Sequence, residues 1–254
     1  MNKTFKKVFS VCCAVVTTLT ATLFHSTNLK AEGQKQHIVF VGPEQAGKTK
    51  LISGIGGNSY NSDYAATIDT DFFSVSRLLT LWDTSGNTRF FGLIGNSFKL
   101  KQLCVLSISN TNQDTGNFLN SIAKNNVPNV VLCITKTDEG TPASEEVSSL
   151  LGTVKDKFSG VTGVRVFDEV LYTSAKKNTF KFCTPDECNT SEEYQIYDTE
   201  KNEKVLAAKL YELCGGKAKD FQDAIYRQTV SSGNSGYKAN FQNGTSKKGL
   251  FFRE

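Results

Sequence analysis

The sequence has no apolar run long enough for an ordinary membrane-spanning helix, which takes about 20 residues. Its uncharged stretch from Val8 to Phe24 falls short of that length and is rich in threonine. Charge of one predominant sign is also missing: 29 Lys and Arg stand against 25 Asp and Glu, a net of +4. Seven Lys and Arg against three Asp and Glu between Lys217 and Glu254 account for that whole excess. The rest of the chain is balanced, and nothing marks a nucleic-acid interface. A cysteine framework is lacking too. Of seven cysteines, Cys12 and Cys13 lie near the N-terminus, Cys104 and Cys133 lie in apolar runs that read as buried strands, and only Cys183 and Cys188 share a loop. One disulfide between those two is compatible with an oxidising compartment, whereas a C-x4-C pair without further ligands makes a poor zinc site.

With 254 residues the chain can bury one domain of about 150–200 residues and leave segments over at both ends. Lys3, Lys6 and Lys7 precede the uncharged run, and the polar stretch after it ends Leu29-Lys30-Ala31-Glu32. That is the layout of a secretory signal peptide cleaved after Ala31, although Leu29 departs from the small-residue cleavage pattern. The short run favours a cleavable signal over a permanent anchor, and a buried helix is the ordinary alternative. Residues 1–31 are therefore expected to be a signal or N-terminal anchor with membrane contact, 36–214 the folded domain, and 215–254 a basic polar tail. Gly, Ser, Asn and Lys predominate from Ser231 onward, and the tail is expected to be largely disordered.

The chemistry begins at Ile38-Val39-Phe40-Val41, a buried-strand run feeding Gly42-Pro43-Glu44-Gln45-Ala46-Gly47-Lys48-Thr49. This fits G-x-x-x-x-G-K-[ST], the phosphate-binding P-loop. Glycines at both ends let the backbone curl so that successive N–H groups face phosphates, with the positive end of the following helix behind them. Leu51, Ile52 and Ile55 supply that helix at the required spacing. Lys48 is placed to reach the outer phosphates and Thr49 a magnesium ion.

Downstream, Asp71–Val75 and Leu78–Trp82 read as a hairpin turning at Ser76-Arg77 and leading into Asp83. A carboxylate at the end of a buried strand beside a P-loop strand is where a doubly wound sheet holds its magnesium. Leu103–Ile108 and Val130–Ile134 are continuous apolar runs of the parallel-strand kind, with a short helix between them over 114–125. Thr141 is placed to cap the next helix, with Pro142 at its first position and Glu145 and Glu146 in its first turn, and that helix runs to about Phe158. Val170–Thr173 reads as a last strand before a polar insertion, 177–197, and a final helix near 200–213. The alternation predicts an α/β fold: a mostly parallel six-stranded sheet with helices on both faces and one antiparallel edge strand.

Taken together these segments resemble the Ras superfamily of small GTPases, the Rab branch most closely, over about Gln36 to Leu213. Trp82-Asp83-Thr84-Ser85-Gly86-Asn87-Thr88-Arg89-Phe90 resembles the Rab switch II signature, and Thr67-Ile68-Asp69-Thr70-Asp71-Phe72 the Rab switch I and following strand. Thr135-Lys136-Thr137-Asp138 resembles the guanine-specificity motif, and Ser174-Ala175-Lys176 the fifth motif. Tyr60, Tyr64 and Thr67 lie twelve, sixteen and nineteen residues after Lys48, the family's offsets for the guanine-side aromatic, the phosphate-covering tyrosine and the magnesium-binding threonine.

The resemblance implies a P-loop G domain binding GTP or GDP with Mg2+. Gly42, Glu44, Gln45, Ala46, Gly47, Lys48 and Thr49 would hold phosphates, and Thr49, Thr67 and Asp83 the metal. Thr67 and Gly86 would sense the γ-phosphate, with Tyr64 over it. Thr135, Lys136, Asp138, Ser174, Ala175, Lys176 and Tyr60 would surround the base. Asp138 would accept from the guanine N–H and amino group, a donor pair adenine lacks. Lys48, Thr67 and Asn87 are the implied catalytic set. Protein effectors or regulators would meet switch regions around 60–73 and 83–98.

Several residues depart from the family pattern. Glu44 stands where most Ras and many Rab proteins have glycine, nearer the Asp of Arf-type GTPases, and Ala46 is Arf-like too. Asn87 replaces the water-positioning Gln, the hairpin before Asp83 is shorter than a Rab's, and the chain ends Leu250-Phe251-Phe252-Arg253-Glu254 without a prenylation cysteine. The expected function is a slow GTP-hydrolysing switch, exported or membrane-associated if residues 1–31 act as a signal and otherwise cytoplasmic. An exported protein of this type could act on membrane traffic. The alternatives are a non-hydrolysing GTP-bound scaffold or Rab mimic, and an exported protein that kept the fold for another role. Intact Lys48, Thr67 and Asp138 argue against the last.

Overall fold

The computed structural model describes residues 33–63, 66–68, 70–87, 89 and 95–231, and the fold is that of the unit beginning at Gln34. Its strands, in chain order, are β1 (Gln36–Val41), β2 (Thr70–Ser76), β3 (Leu79–Thr84), β4 (Leu103–Ile108), β5 (Asn129–Ile134), β6 (Arg165–Val166), β7 (Val170–Ser174), β8 (Thr179–Cys183) and β9 (Tyr194–Gln195). The helices are α1 (Lys48–Ile55), α2 (Gly116–Lys124), α3 (Ser144–Phe158), α4 (Val205–Leu213) and α5 (Ala218–Ser231).

Side chains of β1 enter two cores alternately. Ile38 and Phe40 pack with Leu51, Ile52 and Ile55 of α1, Leu206 and Leu210 of α4 and Phe221 of α5. Val39 and Val41 pack with Phe118 and Ile122 of α2 and Val147, Leu151 and Val154 of α3. A strand apolar on both faces belongs in the middle of a covered parallel sheet. β1 accordingly lies between β3 and β4, parallel to both. The full order is β2-β3-β1-β4-β5-β7-β8-β9, with β6 also on β5. The chain leaves β1 towards β3 on one side and returns to β4 on the other, so a crevice opens at the carboxyl ends of these strands.

The sheet is larger than the expected six strands, and it has antiparallel strands at both edges rather than one. β2 pairs antiparallel with β3 at one end, and β8 and β9 extend β7 antiparallel at the other. The stretch read as a polar insertion thus supplies two strands. In β8 only Phe180 and Cys183 are buried, and Ile196 follows β9 into the core. Such a half-covered edge offers too few apolar positions to stand out from a loop.

Two boundaries also moved. α3 begins at Ser144 with Ala143 as its N-cap, because Ala143 has an extended backbone at ψ 146°. Thr141 and Pro142 therefore precede the helix instead of starting it. The expectation of a polar tail from residue 215 is corrected by α5, which docks Phe221 and Ala224, both fully buried. The Phe221 ring stacks 5.5 Å from that of Tyr211. Burying one phenylalanine contributes about 1.5–3 kcal/mol, enough to hold a helix whose other residues are mostly polar. The proposed signal segment 1–31 and residues 232–254 lie outside the described residues, and no described helix is long and apolar enough to cross a membrane.

Candidate functional site

At the end of β1 the chain passes so close to β4 that a Cβ on Gly42 would sit 1.9 Å from the Ser107 carbonyl oxygen, and Gly42 itself adopts φ +139°. Only glycine satisfies both conditions. The loop then turns through left-handed Gln45 (φ 60°) and Gly47 (φ 76°), and Gly47 caps α1. The first amides of α1 have no partner within the helix and face the crevice as anion donors. Lys48 lies against the loop, its Nζ donating to the Gly42 and Pro43 carbonyls at 2.8 Å each. Burial pushes its ammonium down to about 8, against the pull of the Asp83 and Glu44 carboxylates.

Three oxygens converge beside Lys48. Thr49 donates to Asp83 Oδ2 at 2.6 Å, Thr67 lies 3.0 Å from the Thr49 hydroxyl, and the Thr67 hydroxyl is 3.3 Å from the same carboxylate oxygen. Asp83 is buried at the end of β3, and burial raises its carboxyl pKa while Thr49, Lys48 and Thr67 pull it down. Its Oδ1 is buried without a hydrogen-bond partner among the described residues. Two hydroxyls and a carboxylate whose second oxygen has no partner among the described residues suit a hard divalent cation such as magnesium. Gly86 closes the arrangement, since a Cβ there would lie 2.3 Å from Glu44 N. The loop after β3 therefore rests directly on the P-loop backbone.

A second cluster lies at the ends of β5 and β7. The Thr135 hydroxyl is bonded to the Ala46 carbonyl at 2.7 Å and the Ile108 carbonyl at 3.0 Å, tying β5 to the P-loop. Lys136 then turns through φ 56°. Asp138 is held by Ser174, whose hydroxyl donates to Oδ1 at 2.6 Å while accepting the Lys177 N–H at 3.0 Å.

The two clusters border one continuous depression. A groove of about 430 Å³ runs between the P-loop and α1 on one side and Tyr60, Ser62, Asp63, Ala66 and Thr67 on the other, with Thr84 and Gly86 beneath. A smaller pocket of about 40 Å³ adjoins it, lined by Thr135, Asp138, Ala175 and Lys176 and sharing Gly47, Lys50, Tyr60, Lys136 and Glu139 with the groove. Phosphates and metal suit the first compartment, and Asp138 at the second offers an acceptor to the edge of a planar base.

Most of the residues expected from the sequence thus meet. Tyr64 falls outside the described residues. Thr135 lines the base pocket but spends its hydroxyl on the P-loop, and Ser174 acts through Asp138 without lining either compartment. Asn87 stands beside the groove's lining residue Gly86. Its Oδ1 accepts the Arg89 N–H at 3.0 Å, and it does not line the groove. A two-residue reach to its own backbone suits a short Asx side chain. Cys183 and Cys188 are free thiols; burial and the neighbouring Cys183 push the Cys188 thiol up to about 11.

Sequence reasoning missed Lys50, Asp63 and Glu139, which line the depression. The Asn61-Ser62-Asp63 pattern, which favours a local turn, was the available signal for the second of these.

The family model described as "Ras of Complex, Roc, domain of DAPkinase" matches residues 37–138. The match runs from β1 through Asp138 and stops before Ser174-Ala175-Lys176. With the strand order and P-loop geometry above, the fold is that of a P-loop NTPase. The match supports a Ras-like, GTP-binding switch domain, whose implied ligand is a guanine nucleotide, normally with Mg2+.

Proposed function

We propose that the protein is a guanine-nucleotide switch of Rab-like type that hydrolyses GTP slowly. The observation that carries this reading is the convergence of Thr49, Thr67 and Asp83 on one cation position, beside a groove that leads to Asp138. The α1 amides and Lys48 would hold the phosphates, and Asp138, oriented by Ser174, the guanine edge. Magnesium held by Thr49, Thr67 and Asp83 would neutralise charge on the outer phosphates. Thr67 and Gly86 belong to different loops that both reach the γ-phosphate end of the groove, so loss of that phosphate would release both.

The Rab-like part rests on the segments 67–72 and 82–90 and on the surface they border. Ile68 and Phe72 are largely exposed, and Phe72 packs 5.7 Å from Trp82. The Lys101 ammonium lies 3.5 Å from the centroid of the Trp82 ring. Trp82 Nε1 donates to His37 Nδ1 at 3.3 Å. Burial and the Lys101 and Lys35 charges hold His37 below its ordinary pKa, which keeps that acceptor neutral. An apolar patch built on switch-adjacent strands suits a protein partner that reads the nucleotide state. Residues 1–31 carry the remaining part of the proposal, export or membrane attachment, with action on membrane traffic as its consequence.

A second reading, a GTP-bound scaffold that does not turn over, is favoured by Asn87 bonding to its own loop. Single-turnover hydrolysis separates the two. Related switch proteins have intrinsic rates on the order of 10⁻⁴ to 10⁻² per second. Misplacing a water-orienting group by about an ångström costs roughly a hundredfold, so wild type is expected at or below the bottom of that range. Asn87→Gln should be faster, its longer stem freeing the amide from Arg89. No turnover in either protein favours the scaffold; a fast wild type slowed by the change would show Asn87 at work as it stands.

A further inference from the structure

Two bridges cross the groove among the described residues. One joins Thr49 to Thr67 and Asp83, through the oxygens that a cation would recruit. The other is formed by Lys50, and none of its partners is a phosphate or metal ligand in the reading above. Lys50 is the third residue of α1, and its Nζ donates to the Asp63 carbonyl at 2.5 Å, with Asn61 Oδ1 at 3.5 Å as a weaker second acceptor. The acceptors belong to a turn that closes on itself: Asn61 Oδ1 accepts the Asp63 N–H, and Asn61 Nδ2 donates to Asp63 Oδ2 at 3.0 Å. The same ammonium lies 6.0 Å from the Tyr60 ring centroid. One cation thus holds Tyr60 and the 61–63 turn against the helix that begins the phosphate site.

We propose that Lys50 is a positioning residue that keeps the 60–63 segment closed over the nucleotide in the diphosphate and triphosphate states alike. The proposal rests on the guanine-nucleotide reading and adds a division of labour within the loop. Thr67 answers to the outer phosphate, because its partners are the cation position and the Asp83 carboxylate. Residues 60–63 do not, because their tie is a lysine bonded to a backbone carbonyl. The wall nearest the base stays shut when the other end opens, which slows escape of whichever nucleotide is bound.

The experiment compares wild type, Lys50→Met, which keeps the stem, and Lys50→Arg, which keeps a donor. Release of fluorescent GDP and of a non-hydrolysable GTP analogue is followed by stopped flow with magnesium, and amide exchange of peptides spanning 60–63 is measured in both loaded states. A charge-assisted hydrogen bond lost at the gate should speed release about tenfold. Lys50→Met is expected to release both nucleotides about tenfold faster by that measure, with association nearly unchanged and faster exchange over 60–63 in both states. Lys50→Arg should recover most of the wild-type retention. Unchanged release in Lys50→Met, or an effect confined to one nucleotide, overturns the proposal. Slowed association as large as the loss of retention also overturns it, since Lys50 would then be binding phosphate directly. A wild type that holds neither nucleotide removes the guanine reading first, and is recognised before any variant is compared.

Discussion

Asp138→Ala is expected to lose guanine nucleotide binding by hundreds-fold or more, roughly 3–5 kcal/mol, while ATP binding, weak from the start, stays where it was. The carboxylate lines the base pocket and is held by the neighbouring Ser174 hydroxyl at 2.6 Å. Two hydrogen bonds to a charged acceptor are lost together in the variant. The selectivity arises because adenine offers no donor pair and would leave a desolvated carboxylate unmet. Ser174→Ala is the informative companion. It leaves the charge in place but unheld, and should cost less than Asp138→Ala in affinity. Calorimetry of GDP, GTP and ATP on the three proteins measures all of this. Equal affinity of wild type for ATP and GTP would remove the role assigned to Asp138.

The second large effect is expected in the fold as well as in binding. In Gly42→Ala the added methyl would meet the Ser107 carbonyl oxygen at 1.9 Å, at a residue whose φ is +139°. Neither problem is relieved by a side-chain rotation, because the obstacle is the backbone of a central strand. Strain plus overpacking on this scale costs about 3 kcal/mol or more, which in a domain of this size lowers the melting temperature by roughly 6–12 °C. The displaced loop also carries both of the carbonyls that hold Lys48. Nucleotide binding should therefore fail even at temperatures where the variant remains folded. Thermal unfolding with and without GDP checks both parts: a variant that melts with wild type and gains the same stability from GDP would show that β1 and β4 are not packed as described.

What the sequence made legible follows from how local each signal is. The P-loop was readable because Gly42, Gly47, Lys48 and Thr49 are forced into neighbouring positions by one turn, and the apolar run before them has no other use than a covered strand. Asp83 and Asp138 were readable for the same reason, each standing at the end of such a run. The bond from Arg89 N–H to Asn87 was not readable, because the family pattern gives the place of Asn87 in the chain but not where a shorter side chain will turn. β8, β9 and α5 were lost because they bury few side chains among the described residues: two each in β8 and α5, and none in β9. Phe221 and Ala224 are three residues apart among charged and polar neighbours, a stripe too narrow to stand out from a tail. Lys50 gave no signal at all, since its partner is a backbone carbonyl thirteen residues on, and no side-chain pattern encodes that.

The central claim is that the groove and pocket together hold a guanine nucleotide. It is tested most directly by denaturing protein purified in magnesium without added nucleotide and identifying what is released. Near-stoichiometric GDP or GTP is the predicted result, with GTP prominent if turnover is as slow as the position of Asn87 implies. Release of an adenine nucleotide, or of none from folded protein that also fails to take up added GDP, would contradict it.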